Sequence, residues 1–294
     1  MTMARVVVAE ALDNLAPDDP AAIRSRGDLR RVHLAMGTRA IVAKALRGMP
    51  IGARDGAPLR VLELGAGDGS LMLGVARSLA QSAAQSAPSS QPPAWPRVEL
   101  TLLDRQRLVE PATLAGYAAL GWAATEAVVD VTDWAAGPAG ATTVPPLAGG
   151  PAARWDVIVA NLFLHHFEGA PLATLLGAIA ARCDHFFACE PHRAWLALAG
   201  SHLVGAIGAN SVTRQDAVLS VHAGFRDSEL SSLWPALWTA HTAEWALHEY
   251  RAGLFSHCFR ADRTESQTRP GTQPRAPPRP QPPAQPRSRP HTTP

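Results

Sequence analysis

Five groups of polar residues in this sequence each close an apolar run. Gly65-Ala66-Gly67-Asp68-Gly69 follows Leu59 to Leu64, Asp104 follows Val98 to Leu103, and Asp130 follows Ala123 to Val129. Asn161 follows Trp155 to Ala160, and Glu190 follows His185 to Cys189. If the runs are strands of one parallel sheet, these residues share a crevice, because ligands of open α/β sheets bind outside the carboxyl ends of the strands where the strand order reverses. Glycines at 65 and 67 let the backbone approach a ligand closely, and the following helix offers free N–H groups. Gly69 displaces the third glycine of the dinucleotide fingerprint by one position. Glu63, inside the strand end, repels a pyrophosphate but welcomes an ammonium or a sulfonium. Asp104 has two oxygens for two ribose hydroxyls. Asp130 suits an adenine amino group, with the Val131 backbone N–H for the ring.

Candidates for a general base are His165, His166, Glu190 and His192. A histidine near its unperturbed pKa of about 6.5 suits deprotonation of a phenol. His165-His166-Phe167 equally fits the opening of a turn into the next helix, and Glu190 equally fits a surface pair with Arg193. No metal site is expected, since adjacent residues rarely chelate one ion and no third ligand is evident. Arg214 and Asp216 are expected to pair and fix their segment over the crevice.

The elements that must position these residues alternate. Leu29, Val32 and Met36, then Ile41, Ala45 and Leu46, recur at helical spacing, with Thr38 expected to cap the second helix after Gly37. Strand Leu59–Leu64 leads into a helix from Ser70, and Ser82 to Pro96 reads as a surface loop. The later strands alternate with helices at Arg107–Leu120 and Pro171–Arg182, and Ala135–Ala153 reads as a Gly/Pro-rich loop. This rhythm predicts a Rossmann-like, doubly wound, mostly parallel α/β sheet behind a helical N-terminal cap. Ala194–Ile207 and Ser228–Leu233 read as helices, and strands near Thr242–Tyr250 and Leu254–Arg260, joined at 251–253, predict a closing antiparallel hairpin. The expected units are a cap at 1–58, a core at 59–262 with a lid at 191–235, and a Pro/Arg-rich tail at 263–294. Trp195, Leu196, Leu198, Leu203, Val204, Ile207, Trp234 and Trp238 are apolar enough to line a lipophilic pocket beneath that lid, or to be plain core.

Composition excludes several functions. The chain has 294 residues and a net charge of +2. Residues 263–294 carry six arginines, one acid and 10 of the 26 prolines, without Val, Ile, Leu, Met or an aromatic. Such a segment buries too little apolar surface to offset chain entropy, so it is expected to be a disordered tail. The remaining 21 basic and 24 acidic residues give the body a net charge of −3, which is no footprint for nucleic acid. Three cysteines without a Cys-x-x-Cys spacing argue against a disulfide framework or zinc cluster and fit a reducing compartment. Neither a signal peptide nor a membrane span is legible, so a cytoplasmic location is expected.

Over about residues 29–260 the chain resembles the class I S-adenosylmethionine-dependent methyltransferases. Val61 to Gly69 looks like their first motif, Leu103-Asp104 the acidic second, Val129-Asp130-Val131 the third, and Trp155 to Phe167 the fourth. It is most similar to the small-molecule methyltransferases related to the ubiquinone and menaquinone biosynthetic enzymes. One subgroup has Thr-Arg-His-Asp-x-x-x-Ser-Val, which stands here from Thr213 to Val221 with Gln215 in place of the His. That subgroup's Asn-Asp after the fifth strand is Cys189-Glu190 here. The resemblance implies S-adenosylmethionine as methyl donor, held by Glu63, Gly65, Gly67, Asp68, Asp104, Arg105, Asp130, Val131 and Asn161. It implies a small phenolic, quinone-like or polyketide-like acceptor methylated on oxygen or a ring carbon. The competing expectations are an NAD(P)-dependent oxidoreductase and a non-catalytic S-adenosylmethionine-binding protein. Asn161-Leu162-Phe163-Leu164 lacks the Asn-Pro-Pro-aromatic signature of enzymes acting on flipped adenines.

Overall fold

The structure, a computed structural model, describes residues 3–51, 56–86, 97–137, 154–234 and 244–264. Trp238, most of the two expected long loops and the chain from Glu265 onward lie outside the described residues. After an extended strap come α1 (Pro20–Met36) and α2 (Thr38–Arg47). The sheet layer then runs β1 (Leu59–Leu64), α3 (Ser70–Ser86), β2 (Val98–Asp104), α4 (Pro111–Ala118), β3 (Trp122–Val128) and α5 (Val131–Ala136). It continues with β4 (Trp155–Asn161), a 3-10 turn (Leu164–His166), α6 (Gly169–Arg182) and β5 (Cys183–Pro191). Then follow α7 (Trp195–His202), a 3-10 turn (Val204–Ile207), α8 (Ser211–Ala223), α9 (Glu229–Leu233), β6 (Glu244–Ala252) and β7 (Ser256–Thr264).

The seven strands form one sheet in the order β3-β2-β1-β4-β5-β7-β6. β1 to β5 pair in parallel, while β7 is antiparallel to both β5 and β6. This is the Rossmann-like, doubly wound sheet with a terminal antiparallel hairpin. Every residue of β4 is buried, as a central parallel strand covered on both faces requires. Side-chain alternation divides the core into two. Leu62, Leu64, Ile158, Ala160 and Phe186 face α5, α6 and α9, while Val61, Val157, Val159 and Phe187 face α2, α3 and α4. Trp234 closes the first layer, its ring 5.7 Å from Phe186 and 5.3 Å from Phe259. The strand order reverses between β1 and β4, which puts the crevice beyond Leu64 and Asn161.

Several elements differ from the sequence expectation. α3 continues through Ser86, four residues past the expected start of its loop at Ser82. α4 begins only at Pro111, because the Glu126 carboxylate accepts the N–H groups of Leu108 and Val109 and holds them outside the helix. Asp130 caps the unexpected short helix α5 through the Thr132 N–H. Thr38 does not cap α2 with its side chain; Gly37 makes the joint in the left-handed region at φ 68°. The helix expected over Ala194–Ile207 breaks after His202, where Ser201 donates to the Leu198 carbonyl. α8 was not legible as a helix; Asn210 caps it and is itself bound to Ser25 and Asp28 of α1. The hairpin turns at 253–255, since Ala252 pairs with Ser256. β7 runs past the expected boundary at 262: Arg263 lies 4.8 Å over the Trp245 ring and donates to the Ala180 carbonyl. Among the described residues no helix is long and apolar enough to cross a membrane.

Candidate active site

A cavity of about 390 Å³ opens at the β1–β4 reversal. The loop after β1 forms its floor. Gly65 has φ 67°, and a Cβ there would sit 2.3 Å from the Phe163 ring, so only glycine lets that ring close over the loop. Gly67 has φ 56° and directs its N–H to Asp104 Oδ2 at 2.9 Å. Behind the loop, the buried Tyr117 hydroxyl donates to the Gly69 carbonyl at 2.7 Å. Asp68 accepts the Ser70 N–H at the start of α3 and lies 3.4 Å from Arg30. After β4, Leu162 takes the left-handed φ of 48°, a strained conformation for a side chain with a Cβ, and this turns Phe163 over Gly65.

All nine expected donor-site residues line this one cavity: Glu63, Gly65, Gly67, Asp68, Asp104, Arg105, Asp130, Val131 and Asn161. Glu63 is 2 % exposed, and its Oε2 has no hydrogen-bond partner. Burial first, then the charges of Asp68 and Asp104, push its carboxyl up to about 8. Asn161 Oδ1 is also buried and unpartnered, while its amide nitrogen meets His33 Nε2 at 3.3 Å. Burial lowers His33 to about 4, so the ring is neutral and acts as the acceptor for that amide. Two buried acceptor oxygens without donors are a demand for a cation or a multiple N–H donor. Asp104 accepts Gly67 N–H through one oxygen and Gln106 N–H through the other, leaving each oxygen a further lone pair. Burial holds its carboxyl above the usual range. Asp130 Oδ1 is occupied by Thr132, whose side-chain hydrogen bond lowers the Asp130 pKa.

The base candidates separate. His165 and His166 line the cavity, whereas Glu190 and His192 do not. Glu190 is fully buried beneath the 3-10 turn: it accepts the N–H groups of Phe163, Leu164 and His165 and lies 2.8 Å from His165 Nδ1. It holds the turn rather than reaching a ligand, and Arg193 pairs instead with Glu229. His192 bridges to Phe225 and stacks on His257 at 5.9 Å, away from the crevice. Among the described residues, none of the expected lipophilic residues of the lid lines the cavity: Trp195, Leu196 and Leu203 are exposed, and Trp234 is core.

Sequence reasoning missed the strap. Residues before α1 cross the crevice, latched by Val6 N–H to the His222 carbonyl at 3.1 Å. Asp216 accepts the N–H groups of Ala11 and Leu12 at 2.8 and 2.9 Å, so its partner is this strap and not Arg214. The strap brings Glu10 to 3.3 Å from His165 Nε2 and Asp13 to 3.3 Å from His166 Nδ1. Burial lowers His165, but hydrogen bonds to Glu10 and Glu190 outweigh it and push the ring up to about 9. Burial and the His165 charge lower His166. No sequence pattern marks Glu10 or Asp13. His33 was findable, since it stands four residues after Leu29 on the same helical stripe.

The chain matches no protein-family model and no curated protein. Solved structures of similar chain path include an O-methyltransferase family protein from Burkholderia thailandensis, at 13% identity over 85% of this chain and 62% of that chain, TM-score 0.49. Another is a putative O-methyltransferase from Nostoc punctiforme PCC 73102, at 13% identity over 88% of this chain and 64% of that chain, TM-score 0.49. A third is the magnesium protoporphyrin IX methyltransferase of Synechocystis PCC 6803 with bound SAH, at 13% identity over 81% of this chain and 86% of that chain, TM-score 0.43. This chain thus spans less than two thirds of the length of the first two proteins it resembles.

Proposed function

We propose that the protein is an S-adenosylmethionine-dependent methyltransferase acting on an oxygen or ring carbon of a small phenolic, quinone-like or polyketide-like acceptor. The observation that carries this reading is the pair of unpartnered buried oxygens, Glu63 Oε2 and Asn161 Oδ1, on residues that line one cavity with the glycine loop. An α-ammonium supplies N–H donors for such oxygens and favours the ionised Glu63, whereas a dinucleotide pyrophosphate offers neither donor nor positive charge. Asp104 keeps lone pairs for the ribose hydroxyls, and Asp130 with Val131 stands at the adenine end. When bound, the donor supplies an electrophilic methyl on a sulfonium; the methyl passes to the acceptor and the carbon–sulfur electron pair stays on sulfur.

The chain's own tasks are alignment and exclusion of water. Phe163, closed over Gly65, shields the floor of the cavity. The strap, held on α8 by Asp216, roofs it. The acceptor's ionisable group meets the cluster of Glu10, His165 and His166, not Glu190 or His192. The test is calorimetric titration with S-adenosylhomocysteine and, separately, NADPH. One S-adenosylhomocysteine per chain with no NADPH binding supports methyl transfer; the reverse supports the oxidoreductase.

A further inference from the structure

Adjacent histidines seldom share an ion, but the 3-10 turn at Leu164–His166 folds these two rings together, with centroids 4.2 Å apart and planes 33° apart. The strap adds the missing third ligand. Glu10, His165 and His166 each offer one ligand atom, all within 4.8 Å of one another. Bonds of about 2.0–2.2 Å set tetrahedral ligand atoms roughly 3.4 Å apart, so a small rotation of the Glu10 or His166 side chain completes the set. Asp13 lies 3.3 Å from His166 Nδ1 and steadies that ring.

The side chains that would hold these ligands are already in place. Glu190, fully buried, lies 2.8 Å from His165 Nδ1 and fixes that nitrogen as the donor. Nε2 then faces Glu10 Oε1 across 3.3 Å, a gap that holds either a proton or, in its place, a metal ion. A carboxylate behind a ligating histidine is the usual support of a metal-binding imidazole. Ser220 also donates to Glu10, and Arg105 lies 3.6 Å from Asp13, so both carboxylates are held in place. Two imidazoles and one carboxylate suit a first-row transition ion better than magnesium or calcium, which prefer oxygen alone.

We propose that Glu10, His165 and His166 bind one divalent transition ion of the zinc type at the acceptor end of the cavity, with Asp13 supporting His166. Its open position takes the ionisable oxygen of the acceptor, a role that rests on the methyl-transfer reading above; the ion site itself does not. Coordination lowers the pKa of that oxygen, and its proton leaves to water. The acceptor class is thereby narrowed to phenols and enols whose oxygen is a ligand.

The test uses the full chain, stripped with chelator and titrated with Co²⁺ alone, read by its visible bands. One Co²⁺ per chain, displaced by one Zn²⁺, is expected. Glu10→Gln and His166→Ala are expected to weaken uptake at least about 100-fold, Glu190→Gln about 10- to 100-fold, and His192→Ala not at all. Wild-type-like circular dichroism and Tm of the same variants verify their folding. Absence of stoichiometric Co²⁺, or uptake unchanged in Glu10→Gln and His166→Ala, overturns the site: the gap then holds only a proton. Because the titration contains neither donor nor acceptor, its failure leaves the donor site standing, and failure of donor binding leaves the ion site standing.

Discussion

Glu63→Gln should abolish a proton release that accompanies donor binding. In the free protein burial raises the Glu63 carboxyl to about 8, so at pH 7 about 0.9 of the molecules carry the proton there. An ammonium brought to about 4 Å contributes roughly 4 kcal/mol at an effective dielectric constant of about 20. That takes the carboxyl from about 8 to roughly 5, so the bound form is ionised at pH 7. Wild-type protein should release about 0.9 proton per donor analogue bound at pH 7, and its affinity should rise about 20-fold from pH 6 to 7.5. The sign follows from the free carboxyl being raised: protonation competes with the ligand, so affinity is lost as pH falls. Glu63→Gln imitates the protonated side chain already prevalent at neutral pH, so the variant should fold. It should bind more weakly, with no proton release and a flat acid limb. The assay is calorimetry of S-adenosylhomocysteine in buffers of different ionisation enthalpy. Equal proton release in wild type and variant, or none in wild type, would refute the assignment of Glu63 to the ammonium.

Asp104→Ala removes the partner of two backbone N–H groups and of the expected ribose hydroxyls. Donor-analogue Kd should rise roughly 30- to 700-fold, from the roughly 2–4 kcal/mol carried by hydrogen bonds to a charged group. Asp216→Ala frees the strap at Ala11 and Leu12; limited proteolysis should then cut the first 15 residues faster, and acceptor KM should rise more than donor Kd. A chain ending at Thr264 should keep the wild-type Tm and turnover. One ending at Asp262 should melt lower, since it loses Arg263 from Trp245 and the Ala180 carbonyl.

That these polar residues share one crevice was legible because each of them closes an apolar run, and a parallel sheet brings such ends together wherever its loops wander. Glu63 stood out for the same reason, as a carboxylate inside an apolar strand end. The side of the cavity toward His165 and His166 was not legible. Its roof is an irregular strap whose contacts with α8 and the Leu164–His166 turn are all remote in sequence, and such pairings leave no periodic trace. Glu190 misled because a polar strand end points equally well to a ligand or to the turn beside it; the free N–H groups of the 3-10 turn decided in favour of the turn. The lid residues misled because exposed apolar side chains on α7 share their spacing with a pocket wall. α8 stayed hidden because its mixture of Ser, Thr, Gln and Asp has no apolar stripe, and its position is secured by polar bonds from Asn210 to α1.

The most direct measurement of the central claim is a transfer assay with S-adenosylmethionine labelled on its methyl group, run against a panel of phenols, quinones and polyketide-like enols and read by mass spectrometry. Methyl transfer by this chain predicts a product carrying one labelled methyl, formed in step with S-adenosylhomocysteine and lost in Asp104→Ala. S-adenosylmethionine that binds tightly yet stays intact with every acceptor would contradict it and mark the protein as a non-catalytic binder of that ligand.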